Sequence, residues 1–305
     1  MTLDICTVTD LHVAECDCVR HRRPVAPARP VAPSEPGLYA GVPEPVYHGD
    51  RNSVSSSQVR RLLEVTPRRW HWELDHPRPV SDEMEWGSAV HTLVLGAGPV
   101  PVDTGFDRWQ SNDSKARVRE IRAVGNIPLK PKDFARAQAA AAEVRKHPDA
   151  AAILSAGQPE LSAYARDPHT GLMMRARPDW LRILTPATAL VGDLKTTTKP
   201  GPEEWLWSAG DFGYHQQEPF YTDVLALLGI EVVQWVWIVV CSDPPHEVWT
   251  VEFPSAASDL GRRRNRRALD LLAECLALGE WPTHAAGIQL ADIPQKFYRQ
   301  EEWIS

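Results

Sequence analysis

The sequence predicts an α/β fold in which a central mixed, mostly antiparallel sheet is flanked by helices, with extra helices at the N- and C-terminal ends. Two observations predict it. Short segments rich in β-branched and aromatic residues cluster in the middle of the chain, at 159–166, 171–184, 189–196, 232–241 and 246–253. Segments of helical period bracket them, mostly before 147 and again after 202.

The elements follow in order. Ser55-Ser56-Ser57 offers a hydroxyl cap to a helix over 58–64. Pro67 stops that helix or opens the next turn, which carries Trp70 and Trp72. A second helix spans 83–95 and ends at Gly96, with Gly87 and His91 four residues apart on one face. Residues 97–112 read as loop; 114–123 and the alanine-rich 131–146 read as helices. His169-Thr170-Gly171 turns the first hairpin, and Thr185-Pro186-Ala187 turns the next. A short helix over 202–208 precedes one over 215–228, closed by Gly229. A hairpin around Ser242-Asp243-Pro244-Pro245 and a long helix over 256–278 complete the pattern.

A chain of 305 residues can bury one large core. We divide it into a flexible Pro/Arg-rich leader (1–36), one domain (37–285) and a C-terminal tail (286–305). No apolar run reaches the ~20 residues of a membrane span, and the N-terminus has no basic start followed by an apolar core. A cytoplasmic protein without membrane contact is expected. The net charge of −7 excludes a protein that is basic all over, but not one that confines positive charge to a groove. Only seven residues are Lys, so Lys195 and Lys199 stand out. Five Cys, three of them within the leader, do not suggest a disulfide framework. Cys16-Asp-Cys18-Val-Arg-His21 fits a metal site or free thiols in a tail, and no second ligand pair follows.

The chemistry concentrates in Arg175-Ala-Arg177-Pro-Asp179 and Gly192-Asp193-Leu-Lys195. Strand side chains alternate, so Asp193 and Lys195 point the same way. Two carboxylates and a lysine on one side of a sheet can hold a divalent metal and handle a water molecule. The alternative is a surface salt bridge between Asp193 and Lys195. Gly87-x-x-x-His91 upstream and Gln217-x-x-x-Tyr221 downstream each put two residues on one helical face.

Taken together these motifs resemble the PD-(D/E)XK nuclease superfamily, in its RecB-like branch, and more narrowly the phage and prophage exonucleases of the RecE (exonuclease VIII) type. The residues that carry the resemblance are Gly87 to His91, Arg175 to Asp179, Gly192 to Thr197, and Gly213 to Tyr221, within about 37–285. The resemblance implies a restriction-endonuclease-like core. It implies Asp179, Asp193 and Lys195 as catalytic residues, with Mg²⁺ or Mn²⁺ held by His91, Asp179, Asp193 and the Leu194 carbonyl. Gln217 and Tyr221 would position the DNA strand. Arg175 and Arg177 become candidates for phosphate contact. Glu160 either completes the metal shell through water or is a structural strand residue. Lambda exonuclease, a relative, holds a 5′-phosphate with an arginine and a serine near a helix start; Arg51 and Ser57 would take those places, unless Ser57 is an ordinary cap. Trp86 is the tryptophan to test for stacking on a base. Arg262 to Arg267 fits DNA or subunit contact as well as a solvated, salt-bridged surface. An iron–sulfur cluster is not expected, since Cys275 stands alone near the C-terminus.

The resemblance implies a Mg²⁺-dependent 5′-to-3′ exonuclease on linear double-stranded DNA. It would make 3′ single strands for recombination, with a RecT-type single-strand annealing protein as partner and a homo-oligomeric assembly. The alternatives are an endonuclease or DNA-end trimming nuclease on the same fold, or a non-catalytic DNA-binding module.

Overall fold

The computed structural model describes residues 31–301 except 78, 285, 286 and 289. The Cys16–Cys18–His21 group and most of the leader lie outside the described residues.

The chain enters through β1 (Gly37–Tyr39), α1 (Glu44–Gly49), β2 (Ser53–Ser55), α2 (Ser56–Glu64) and α3 (Pro67–Asp75). A capping box starts α2: Ser55 Oγ accepts from the Gln58 N–H, and the Gln58 side chain accepts from the Ser55 N–H. Next come α4 (Asp82–Leu95), β3 (Pro101–Asp103), α5 (Asn112–Ala123), β4 (Ile127–Leu129), α6 (Pro131–Lys146) and α7 (Pro148–Leu154). Ser81 caps α4, and Gly96, at φ 71°, closes it. Then follow β5 (Gln158–Pro159), β6 (Ser162–Arg166), β7 (Met173–Ala176), β8 (Trp180–Thr185) and β9 (Thr188–Thr197). Last are α8 (Pro202–Asp211), α9 (Tyr214–Leu227), β10 (Glu231–Cys241), β11 (Val248–Val251), α10 (Ser255–Leu278) and α11 (Gln295–Glu301), which falls in the expected tail.

The α/β class is as expected, but the strands form two main sheets rather than one. A five-stranded sheet runs β11-β10-β9-β8-β5 and a four-stranded sheet runs β1-β6-β7-β2; β3 and β4 pair separately. The expected strand over 171–184 breaks at Arg177-Pro178-Asp179. Pro178 has no N–H for a ladder, so β7 stays in the smaller sheet and β8 joins the larger one. The expected strand over 159–166 likewise divides at Glu160, whose φ is 55°. The expected loop over 97–112 contains β3, which pairs in parallel with β4.

β10 is apolar on both faces, as a central strand covered on two sides must be. Trp235, Trp237 and Val239 face a core shared with α2, α9 and α10. Val236, Ile238 and Val240 face a second core with α4 and α6. β9 pairs with β10 in parallel and with β8 in antiparallel register. Its odd-numbered residues Ala189 and Val191 enter the first core and Leu194 the second. Asp193 and Lys195 therefore fall on the α9 side.

α10 fixes where α9 lies. Pro219 inside α9 has no N–H to donate to the His215 carbonyl, four residues earlier. Gly261 of α10 sits against that carbonyl: a Cβ there would fall 1.7 Å from the His215 oxygen. One turn on, Asn265 Nδ2 donates to the Gln216 carbonyl at 2.8 Å.

Two arginines of the α10 cluster, Arg262 and Arg266, serve as structure, while Arg263, Arg264 and Arg267 are exposed. Arg262 pairs with Asp223 and Asp259. Arg266 donates through both terminal nitrogens to the buried Asp167, each bond 2.9 Å. Burial pushes the Asp167 carboxyl up, but bonds from Arg266 and Thr170 outweigh it and hold its pKa below the usual value. Arg266→Ala is expected to cost about 2–3 kcal/mol at neutral pH, read by denaturant unfolding. A carboxyl with a depressed folded pKa stabilises above its unfolded pKa, and that contribution is lost as pH falls through the folded pKa. The penalty of Arg266→Ala should therefore shrink on acidification below the ordinary aspartate range.

Candidate active site

The strand break at Pro178 builds the site. β8 pairs with β9 only from Trp180 onward, opposite Gly192. Beyond that pair the Leu194 N–H has no β8 partner, and Asp179 supplies one: Leu194 N–H donates to Asp179 Oδ2 at 2.7 Å. The Asp179 carboxylate thus extends the ladder and arrives beside Asp193. Asp179 sits between β7 and β8 rather than on a strand, which corrects the expectation that it lies within a strand over 171–184.

Asp193 is fully buried. The Lys195 ammonium donates to its Oδ1, and Gln217 Nε2 of α9 donates to Oδ2 at 2.7 Å. The Lys195 ammonium also stands over the rings of Tyr214, at 5.1 Å, and Trp237, at 5.3 Å. The surface salt bridge considered above is instead an inward-facing pair with one member wholly enclosed. From the other side, α4 brings His91 Nδ1 to 3.4 Å from Asp179 Oδ2, and the imidazole also faces the Leu194 backbone. α4 comes this close because residue 87 is glycine: a Cβ there would be 3.1 Å from Thr196 Oγ1.

The electrostatics follow from enclosure. Burial, then the neighbouring Asp179 charge, pushes Asp193 up to about 7. Burial raises Asp179 as well. Burial pulls the Lys195 ammonium down, but Asp193 and Asp179 outweigh it and its pKa is raised, so it stays charged. Burial, then Lys195, lowers His91 to about 4, so the imidazole is neutral at neutral pH with a lone pair to offer. Glu160 is pushed up to about 8 by burial and then by Asp179. Its N–H donates to the Asp179 carbonyl at 3.2 Å, which places it at the same corner.

Among the described residues, no three His, Cys, Asp or Glu side chains are already drawn into one metal-sized group. The donor chemistry nonetheless fits a hard cation. The Leu194 N–H bond and the His91 contact both fall on Asp179 Oδ2, leaving Oδ1 without a hydrogen bond among the described residues.

The other candidates divide. Tyr221 is half-buried, 5.8 Å from the Trp235 ring, and its hydroxyl lies against the Arg177 backbone, with Asp193 and Asp179 near enough to raise its pKa further after burial. Arg175 is 2% exposed; it donates to the Asp50 carbonyl at 3.2 Å, Ser53 Oγ at 2.9 Å and Gln58 Oε1 at 3.2 Å. Arg177 donates to Ser162 Oγ and the Val42 carbonyl, both at 2.8 Å, and covers the Tyr47 ring at 3.9 Å. Both arginines join the smaller sheet to α1 and α2 instead of reaching solvent, because the break at Pro178 turns them away from Asp179. Arg51 is exposed and pairs with Asp75 at 3.1 Å. Ser57 is exposed and among the described residues its hydroxyl meets only that of Ser55, at 3.0 Å; Ser55 is the helix cap. Trp86 is buried, donating to the Asp133 carbonyl at 3.1 Å, with Arg136 over its ring at 4.5 Å. It is therefore enclosed and not open to a base. Tyr214 received no role from the motifs; its closeness to Lys195 shows only in the folded chain.

A mixed sheet whose broken strand delivers one acidic residue beside an Asp-x-Lys strand, flanked by a histidine helix and a Gln-x-x-x-Tyr helix, is the arrangement of the PD-(D/E)XK superfamily. Residues 55–293 match the model of the PDDEXK-like domain of unknown function DUF3799, and the chain belongs to that family. None of the curated proteins matches the sequence significantly. Among solved structures, a candidate exonuclease from Eubacterium rectale aligns at 11% identity with a TM-score of 0.50, over 77% of this chain and 91% of that one. A second, SSO0001, aligns at 10% identity over 73% of this chain and 77% of its own, with a TM-score of 0.32 that sets no constraint on the fold. The fold is thus restriction-endonuclease-like. Among the described residues no helix is long and apolar enough to cross a membrane.

Proposed function

We propose that the protein is a metal-dependent deoxyribonuclease, a 5′-to-3′ exonuclease of the RecE type on linear double-stranded DNA. One observation carries the chemistry: Asp179, Asp193 and Lys195 are brought together by a strand break and enclosed. The exonuclease reading draws on the motif resemblance and on the name of the Eubacterium rectale protein; the 5′-to-3′ direction draws on the motif resemblance alone.

His91, Asp179, Asp193 and the Leu194 carbonyl would hold Mg²⁺ or Mn²⁺, with Glu160 reaching it through water. When bound, the ion supplies positive charge beside a phosphodiester and eases ionisation of water. The residues of the chain do the rest. Gln217 fixes the Asp193 carboxylate so that its orientation does not change with substrate. Lys195, kept charged by Asp193 and Asp179, orients the attacking water and offsets charge on the transition state. Tyr221 borders the same corner and guides the strand. In this reading the enzyme is cytoplasmic, assembles as a homo-oligomer around DNA, and hands its 3′ single strands to an annealing protein of the RecT type.

The test is digestion of 5′- and 3′-end-labelled linear duplex beside supercoiled circle, with Mg²⁺ and with chelator. Release of the 5′ label as nucleotides, with the circle intact, is the expected result. Nicking of the circle at a comparable rate would make the enzyme an endonuclease. Binding without hydrolysis, with Mg²⁺ or with Mn²⁺ in its place, would make it a non-catalytic module.

A further inference from the structure

The arginines near the catalytic corner are of two kinds. Arg61 gives two 2.8 Å bonds to Glu73 and one of 3.1 Å to Glu64. Arg175 and Arg177 are held by the chain in the same way. Arg60, also on α2, is not. Its nearest carboxylate, Glu64, is 3.7 Å away, and among the described residues no hydrogen bond reaches its guanidinium. Its side chain is nevertheless only 24% exposed.

What covers Arg60 is the corner between α8 and α9. Gly213, at φ 66°, lets the Arg60 stem cross its Cα; a Cβ there would fall 2.3 Å from Arg60 Cδ. Phe212 is 58% exposed. Its ring is 6.0 Å from Tyr214, and the Tyr214 ring carries the Lys195 ammonium at 5.1 Å. Arg60 acts electrostatically on the Tyr214 and Tyr221 hydroxyls. A guanidinium with no hydrogen bond among the described residues and an exposed ring thus stand one aromatic side chain away from Lys195.

We propose that Arg60 and Phe212 form a nucleotide subsite beside the catalytic centre, Arg60 holding the phosphate next to the scissile one and Phe212 stacking on its base. A guanidinium fork matches phosphate oxygens, and an exposed ring accepts any base. The loose Glu64 contact is easily exchanged for a phosphate. The subsite rests on the nuclease reading and deepens it.

The test uses single-turnover cleavage and binding of a short end-labelled duplex by the full chain. Arg60→Gln should weaken binding about tenfold while the cleavage step changes less than about twofold, and Arg60→Lys should restore part of the loss. A single neutral methylphosphonate, scanned through the linkages flanking the cut, should at one position make wild type and Arg60→Gln alike. Phe212→Ala should weaken binding to the ordinary duplex but not to one abasic at that nucleotide. Binding by Arg60→Gln equal to wild type, or a difference that persists at every neutral linkage, would overturn the subsite and leave the nuclease reading standing. A wild type that neither binds nor cuts DNA would overturn both.

Discussion

Asp193→Asn is expected to lower Mg²⁺-dependent DNA hydrolysis by at least about 10³-fold, equivalent to about 4 kcal/mol of transition-state stabilisation. The substitution keeps the shape of the side chain and removes its charge. The amide nitrogen or oxygen must then face the Lys195 ammonium, and a cation loses one of its two carboxylates. Stability should suffer far less than activity. Burial already disfavours the charged form of Asp193, pushing its carboxyl up to about 7, and Asp179 remains as a counter-charge for Lys195. The check is a rate measurement paired with circular dichroism. A folded Asp193→Asn protein that digests DNA as fast as wild type would remove Asp193 from the catalytic centre.

The second large effect lies away from the chemistry. Gly261→Ala should destabilise the protein by about 3 kcal/mol or more, at the upper end of what overpacking does. The new methyl group would meet the His215 carbonyl oxygen at 1.7 Å and the Pro219 ring at 2.8 Å. Both are rigid, so α10 and α9 must separate. Gln217 rides on the turn that Gly261 and Asn265 hold, so the surviving folded protein should also lose activity through misplacement of the Gln217–Asp193 bond. Thermal unfolding and residual activity of the purified variant would measure the two losses separately. An unchanged melting temperature would contradict the helix crossing described above.

Much of this was legible in the sequence where local chemistry decides. Ser55 and Gln58, Gly96 and Gly229 mark helix ends through caps, and β9 announces itself by its apolar run before Asp193. The alternation that puts Asp193 and Lys195 on one face survived folding. What could not be read was set by partners distant in sequence. Pro178 could have lain at the edge of a continuous strand; only the pairing of β8 with β9, and of β7 with β6, shows that the chain changes sheets there. That change is why Arg175 and Arg177, four and two residues from Asp179, end up bonded to α2, to β6 and to the backbone on either side of α1. Arg60 and Tyr214 carry no motif of their own, and their place beside Lys195 depends on Gly213 admitting the Arg60 stem. Trp86, next to Gly87, read as the tryptophan to test for base stacking, but α6 packs over it.

The central claim is that Asp179 and Asp193 form one cation site with Lys195 as its fixed positive neighbour. Titration of Mn²⁺ into the protein, followed by electron paramagnetic resonance, tests it most directly. Wild type and Lys195→Ala should bind Mn²⁺, with Lys195→Ala inactive on DNA, whereas Asp179→Asn and Asp193→Asn should each lose that binding. Equal Mn²⁺ binding by wild type and both Asn variants would contradict the claim.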